Sequence, residues 1–242
     1  MGSRGASSST NKQKNETEFE DMPRGGFGYH GDGSAQKEFF DKNSNYNELI
    51  ESMNSTEREA FDDIWVPGYF MGGQQYDGFE NMSKDAQNAT RTFDKFLDQS
   101  VIKSPLVVSR LATSELVLGK GRTTATLEEL QAKEGTIVIS AGNMSTGAGK
   151  QGLSIGSTLS THGGYRAKNV EYKIHIPGGA KGAGMYIGDN RINSGFGNDQ
   201  REFMMNRDIG LRVGKTTYDA TRDVFVTHMH YTGRLEHNYT HY

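Results

Sequence analysis

KNVEYKIHIPGGAKGAGMYIGDNRINSGFGNDQREFMMNRDIGLRV, residues 168–213, decides what kind of fold this chain adopts. Within it VEYKIHI, GMYI, REFMM and GLRV are short β-type runs, and Gly-, Pro- or Asn-rich connections separate them. Such runs, bounded by turn residues, read as strands. Working outward, LVVSRL (106–111), TIVIS (136–140) and DVFVTHMHY (223–231) repeat the pattern. Upstream the period changes. Tyr46, Leu49, Ile50 and Met53 fit one helix face. Ser83 then precedes a stretch in which Ala86, Ala89, Phe93, Phe96 and Leu97 recur at helical spacing. Between the two, Thr56 followed by Glu59 has the spacing of a capping box, opening a helix that Pro67 and Gly68 stop. Helices come first and strands afterwards, which points to an α+β fold rather than alternating βαβ units. No fixed-period repeat is visible.

The chain has 242 residues, enough for one substantial domain. Its apolar fraction is only 33 % and its mean hydropathy is -0.71, so part of the length is not packed core. Residues 1–44 are rich in Ser, Gly, Asn and Lys with few aliphatics and read as a disordered leader. The remainder, 45–242, reads as one domain with a helical part over 45–100 and a β-rich part over 101–242. A net charge of -3 gives no basic footprint, so binding to nucleic acid through phosphate neutralisation is not expected. The absence of cysteine excludes disulfides, Cys-ligated zinc, iron–sulfur clusters and thiol nucleophiles. No apolar run approaches the roughly 18 to 20 residues that span a bilayer, and the N-terminal stretch lacks the apolar segment of a secretory signal. The five Asn-x-Ser/Thr sequons are then read as chance in an Asn-rich chain.

Two stretches imitate binding motifs. STGAGKQG (145–152) sets Gly147, Gly149 and Gly152 in G-x-G-x-x-G spacing after the strand-like TIVIS. A dinucleotide-binding turn needs a helix immediately after those glycines, and LSIGSTLST is β-like instead. The same stretch fails as a phosphate loop, because Met144 stands where the first glycine is needed. It reads as a flexible surface loop. His228 and His230 project to one side of a strand, and His237 and His241 share a face if the C-terminal end is helical. They read as solvated histidines, with no metal expected.

Three further elements occur in order: Arg110 within PLVVSRLAT, the Ser/Thr run GSTLST at 156–161, and Gln200-x-Glu202. Each alone has an ordinary explanation: a surface ion-pair partner, an edge strand, a chance pattern. Together, in a helices-then-strands layout, they resemble the mono-ADP-ribosyltransferases of the arginine–serine–glutamate class. These include bacterial toxins that modify Rho GTPases or actin and related bacterial and phage effector domains. The resemblance covers roughly 45–230. It includes STEREAFDDIWVPGYF, similar to the family helix leading toward Tyr69, and the Pro-Gly and Gly-x-x-Tyr-Ile pattern of residues 168–190. DQREFMMNRDIGLRV is its most specific part.

The resemblance implies an ADP-ribosyltransferase-like fold, in which N-terminal helices pack on a core of two roughly perpendicular, mainly antiparallel sheets. It implies NAD as substrate and a protein acceptor. Breaking the nicotinamide–ribose bond develops oxocarbenium character, as in glycoside hydrolysis. By similarity, Glu202 is the carboxylate that stabilises that charge, an effect that is large in a dry site. Gln200 lies two residues away, on the same side of an extended chain, and orients the acceptor. Gln in place of Glu at this position implies an acceptor other than arginine, such as asparagine. Arg110 binds the NAD phosphate through paired, charge-assisted hydrogen bonds. Ser157 holds Glu202, with Thr158 beside it; Leu159 departs from the family pattern, and Ser160 fits if the register differs by one. Leu111, where many relatives carry glycine or arginine, is a second departure. Tyr165 and Arg166 resemble the loop covering nicotinamide and phosphate, and Phe196 resembles the aromatic that touches the protein substrate. An NAD glycohydrolase, and an idle domain of this fold used for binding or virion structure, are the alternatives. Secretion, injection and packaging in a virion are all compatible routes.

Overall fold

The computed structural model of the chain describes residues 42–58, 78–148, 170–186 and 202–236. Its helical part contains α1 (Tyr46–Ser52), a 3₁₀ turn (Phe79–Asn81) and α2 (Lys84–Gln99). Ser83 caps α2 as its spacing predicts, its hydroxyl accepting from the Ala86 N–H at 3.2 Å. The buried stripe of α2 is Ala86, Thr90, Phe93 and Leu97, three or four residues apart. Helical backbone also covers 55–58, but the capping box lies two residues earlier than the sequence suggested. Asn54 Oδ1 accepts from the Glu57 N–H at 2.9 Å, and Glu57 Oε2 accepts from the Asn54 N–H at 3.0 Å. Asn is at least as good a cap as Thr, so Asn54 wins the competition with Thr56. The body is already engaged before residue 45: Asn43 O accepts from the Lys103 N–H, and Ser44 bridges Ile102.

The β-rich part contains β1 (Leu106–Ala112), β2 (Ile137–Ser140), β3 (Met144–Ala148), β4 (Val170–Ile176), β5 (Gly184–Tyr186), β6 (Glu202–Met205), β7 (Ile209–Asp219) and β8 (Val224–Arg234). Two short helices, α3 (Glu115–Leu118) and α4 (Leu127–Gln131), interrupt the strands. The α+β class and the mainly antiparallel core hold. Where two sheets were expected, the ladders join all eight strands in one order, β2-β7-β8-β4-β1-β3-β6-β5. Its narrowest joint is β1 to β3, with two paired positions. Among the described residues, β4 and β8 form the one parallel pair. The stretch read as a flexible loop at 145–152 is in part β3, an inner strand. Met144 and Thr146 are buried, so its alternation is that of a strand despite the glycines.

One face of this sheet carries Val108, Tyr172, Ile174, Phe203, Leu211 and Met229, each no more than 0 % exposed, and meets the helices in a continuous core. At the end of β6 a polar clasp pins the sheet to α2. Arg207, 1 % exposed, donates from Nε and Nη2 to the Asp94 carboxylate, and its Nη1 lies 3.0 Å from Asp208 Oδ2. Asn206 next to it donates to Asp98 Oδ1 at 2.9 Å.

Candidate active site

Arg110 and Glu202, far apart along the chain, are placed on strands separated only by β3. Ser109, the residue before Arg110, pairs with Gly147 on β3, and Gly147 pairs with Glu202 at the start of β6. Two strand spacings separate such positions by about 10 Å between Cα atoms. Arg110 is half-buried, and its Nη1 donates to the Ser145 carbonyl on β3 at 3.2 Å. On the other side it pairs in register with Tyr172, whose hydroxyl donates to Thr113 O at 2.8 Å. Burial holds that phenol well above its ordinary pKa, so it stays neutral beside the guanidinium.

β3 is bound tightly to β6. Thr146 Oγ1 donates to Phe203 O at 2.6 Å, and Asn143 Nδ2 donates to Met205 O. Ser145, between them, is half-buried and pairs with Met204, which makes it the diagonal neighbour of Glu202 on the same side of the ladder. The sequence reading passed over this residue because the glycines that follow it suggested a loop. The signal was present: Ser145-Thr146 is a Ser-Thr pair one short connection after the TIVIS strand, just as Ser157-Thr158 is a Ser-Thr pair within GSTLST.

Ser157, Thr158, Tyr165, Arg166, Phe196 and Gln200 lie outside the described residues, as does the side chain of Glu202. His237 and His241 lie outside them too. His228 and His230 do project from one side of β8, where both rings stack on His175, at 5.0 and 4.9 Å between centroids. His175 Nε2 is 2.7 Å from His228 Nδ1, so the pair shares a proton between ring nitrogens. Among the described residues no group of three His, Asp or Glu side chains is arranged to hold a metal ion. The buried carboxylate nearest Arg110's row, Glu171, is matched by Arg222 Nη2 at 2.7 Å. Among the described residues no helix is long and apolar enough to cross a membrane.

The fold is similar to those of solved ADP-ribosyltransferase toxins. It is similar to Plx2a, an ADP-ribosyltransferase toxin from Paenibacillus larvae (TM-score 0.62, 14 % identity, covering 83 % of this chain and 96 % of that one). It is likewise similar to the Clostridium limosum C3 exoenzyme (0.63, 12 %, 90 % and 98 %) and to C3stau2 from S. aureus with NAD (0.62, 15 %, 90 % and 99 %). At such low identities these likenesses speak for the fold alone. The sequence itself goes further: residues 71–231 match the ADP-ribosyltransferase exoenzyme family, and the chain belongs to it. It is therefore an NAD-dependent ADP-ribosyltransferase, with NAD as its substrate. No curated protein sequence matches the chain.

Proposed function

We propose that the enzyme transfers ADP-ribose from NAD to a side chain other than arginine on a protein acceptor. Glu202 is the carboxylate that stabilises the oxocarbenium-like centre as the nicotinamide bond breaks. Arg110 holds the NAD phosphates. Its bond to the Ser145 carbonyl supports this role by fixing the guanidinium against the strand that separates it from Glu202. Gln200, two residues before β6, reads the acceptor: a neutral amide can orient a nucleophile by hydrogen bonding but is a poor base for an arginine. The hydroxyl that steadies Glu202 falls to Ser145, the diagonal neighbour across β3, in preference to Ser157. Tyr165, Arg166 and Phe196 keep the covering and acceptor-contacting roles that resemblance gives them.

What supports this reading is the strand order β1-β3-β6, which sets the strand of Arg110 two places from that of Glu202 in a family defined by NAD chemistry. Labelled NAD incubated with a cell lysate tests it. Labelled protein bands that vanish with Glu202→Ala support transfer. Free ADP-ribose without labelled protein identifies a glycohydrolase, and neither product identifies an idle domain. Ser145→Ala and Ser157→Ala, compared side by side, decide which hydroxyl serves Glu202.

A further inference from the structure

Arg110 is half-buried, yet among the described residues no carboxylate pairs with it. Its one hydrogen-bond partner there is the Ser145 carbonyl, which leaves most of the guanidinium's N–H groups for another acceptor. By contrast, Arg207 is matched by Asp94 and Asp208, Arg222 by Glu171 and Asp219, and Arg234 by Asp98. A long side chain without a counter-ion keeps its rotamer freedom unless neutral neighbours hold it. That freedom is then lost whenever a ligand binds, at a cost in affinity.

Tyr172 on β4 is such a neighbour. It pairs directly with Arg110, so the two side chains leave the same face of the sheet about 5 Å apart. Tyr172 is fully buried, and its hydroxyl donates to Thr113 O at 2.8 Å, three residues beyond Arg110. The ring is therefore fixed at both ends, by the β4 ladder and by the main chain just past β1. Burial raises the phenol's pKa; the Arg110 charge lowers it and the Glu115 charge raises it, so both charges act on this hydroxyl. Glu115 is itself engaged: its Oε2 accepts from Thr113 Oγ1 at 3.0 Å, and its Oε1 accepts from the Gly121 N–H at 2.8 Å. A neutral ring on one side and a carbonyl on the other thus flank the guanidinium without neutralising it.

We propose that Tyr172 is a positioning residue for Arg110. Its tethered ring walls off the β4 side, so the guanidinium stays over β3 with its remaining N–H groups available to the NAD phosphates. This rests on the role given to Arg110 above. Tyr172, with no exposed surface, touches neither NAD nor the acceptor. It acts by reducing the freedom that the arginine loses when a phosphate arrives. A carboxylate in its place would hold the arginine more strongly but would compete with the phosphate for it.

The test is Tyr172→Phe, which keeps the ring and removes only its tether to Thr113, alone and together with Arg110→Lys. Initial rates of NAD cleavage without acceptor and Tm are measured for each. Tyr172→Phe is expected to raise KM for NAD about fivefold, the effect of one buried hydrogen bond, with kcat within about twofold. Beside Arg110→Lys, which has no planar fork to aim, the same substitution is expected to change KM by less than about twofold. Ile174→Val, on the same buried face of β4, is the control: it is expected to lower Tm by a few degrees and to leave KM unchanged. An unchanged KM in Tyr172→Phe overturns the proposal. So does a rise of equal size beside Arg110→Lys or in Ile174→Val, since either marks a general loosening of the sheet. If Arg110→Lys itself leaves KM unchanged, the fault lies with the assignment of Arg110. If Arg110→Lys raises KM and Tyr172→Phe does not, only the Tyr172 proposal falls.

Discussion

The clasp between Arg207 and Asp94 gives a prediction whose size follows from its geometry. The guanidinium is 1 % exposed, and Nε and Nη2 reach the Asp94 carboxylate at 2.8 to 3.1 Å. Asp94→Ala removes all of those contacts at once. What remains is Asp208, whose Oδ2 is 3.0 Å from Nη1, so one side of a buried cation is left facing a void. Two unit charges about 4 Å apart attract by about 4 kcal/mol at the effective dielectric of such sites. Breaking a buried pair by deleting one partner costs about 3–5 kcal/mol in practice, which agrees. For a chain of this size, each kcal/mol moves Tm by about 2–4 °C, so a fall on the order of 10 °C is expected. Urea unfolding followed by circular dichroism gives the free energy directly. Lys95→Ala is the control, because its ion pair with Glu57 is 59 % exposed on the lysine side and contributes little. Replacing both clasp residues with apolar ones, Asp94→Leu with Arg207→Met, should cost less than Asp94→Ala alone, since no charge is then stranded. If Asp94→Ala costs no more than Lys95→Ala, the clasp does not hold α2 to the sheet, and the account of how the end of β6 is anchored is wrong.

Three further outcomes are expected. Arg110→Lys keeps the charge but loses the planar fork, and should raise KM for NAD about 10- to 100-fold with a smaller change in kcat, read from initial-rate kinetics of NAD cleavage. Gln200→Glu should move labelling toward arginine side chains, as seen by mass spectrometry of modified lysate peptides; an unchanged acceptor residue refutes the role of Gln200. Burial pushes the Tyr231 phenol up to about 12, so between about pH 10 and 12 the unfolded chain loses this proton while the folded one keeps it. The resulting stability is fully present below pH 10 and is lost as pH rises through 12. Tyr231→Phe should flatten that alkaline fall in urea midpoints, while losing the bond from the Tyr231 hydroxyl to Lys181 O at any pH where it is protonated.

Most of the fold was legible because burial and periodicity agree locally. The 106–111, 136–140, 170–176 and 223–231 runs became β1, β2, β4 and β8 within a residue or a few, and Ser83 marked the start of α2. The failures share a cause: short elements that depend on partners outside their own sequence. α3 and α4 have four and five residues, too few for a helical period to show. α4 stands on a capping box between Thr126 and Glu129, a local signal that was readable. The Arg207–Asp94 clasp had no signal at all, since nothing in either local sequence points to a partner 113 residues away.

The candidate site shows the same division more sharply. Side-chain chemistry was legible: an arginine in a strand, a carboxylate after a Gly/Asn loop, and serines between them. Register was not. Gly147 helped disguise β3 as a surface loop, although it lies in an inner strand between β1 and β6. Gly147 is paired with Ser109 on β1 to one side and with Glu202 on β6 to the other. Glycine in a strand interior weakens the strand and often marks a place where another group must come close. β3 offsets that weakness through Thr146 and Asn143, which bind β6 by side chain on either side of Ser145. A loop-like composition is thus held inside a sheet, and only the pairing of strands distinguishes it from a loop.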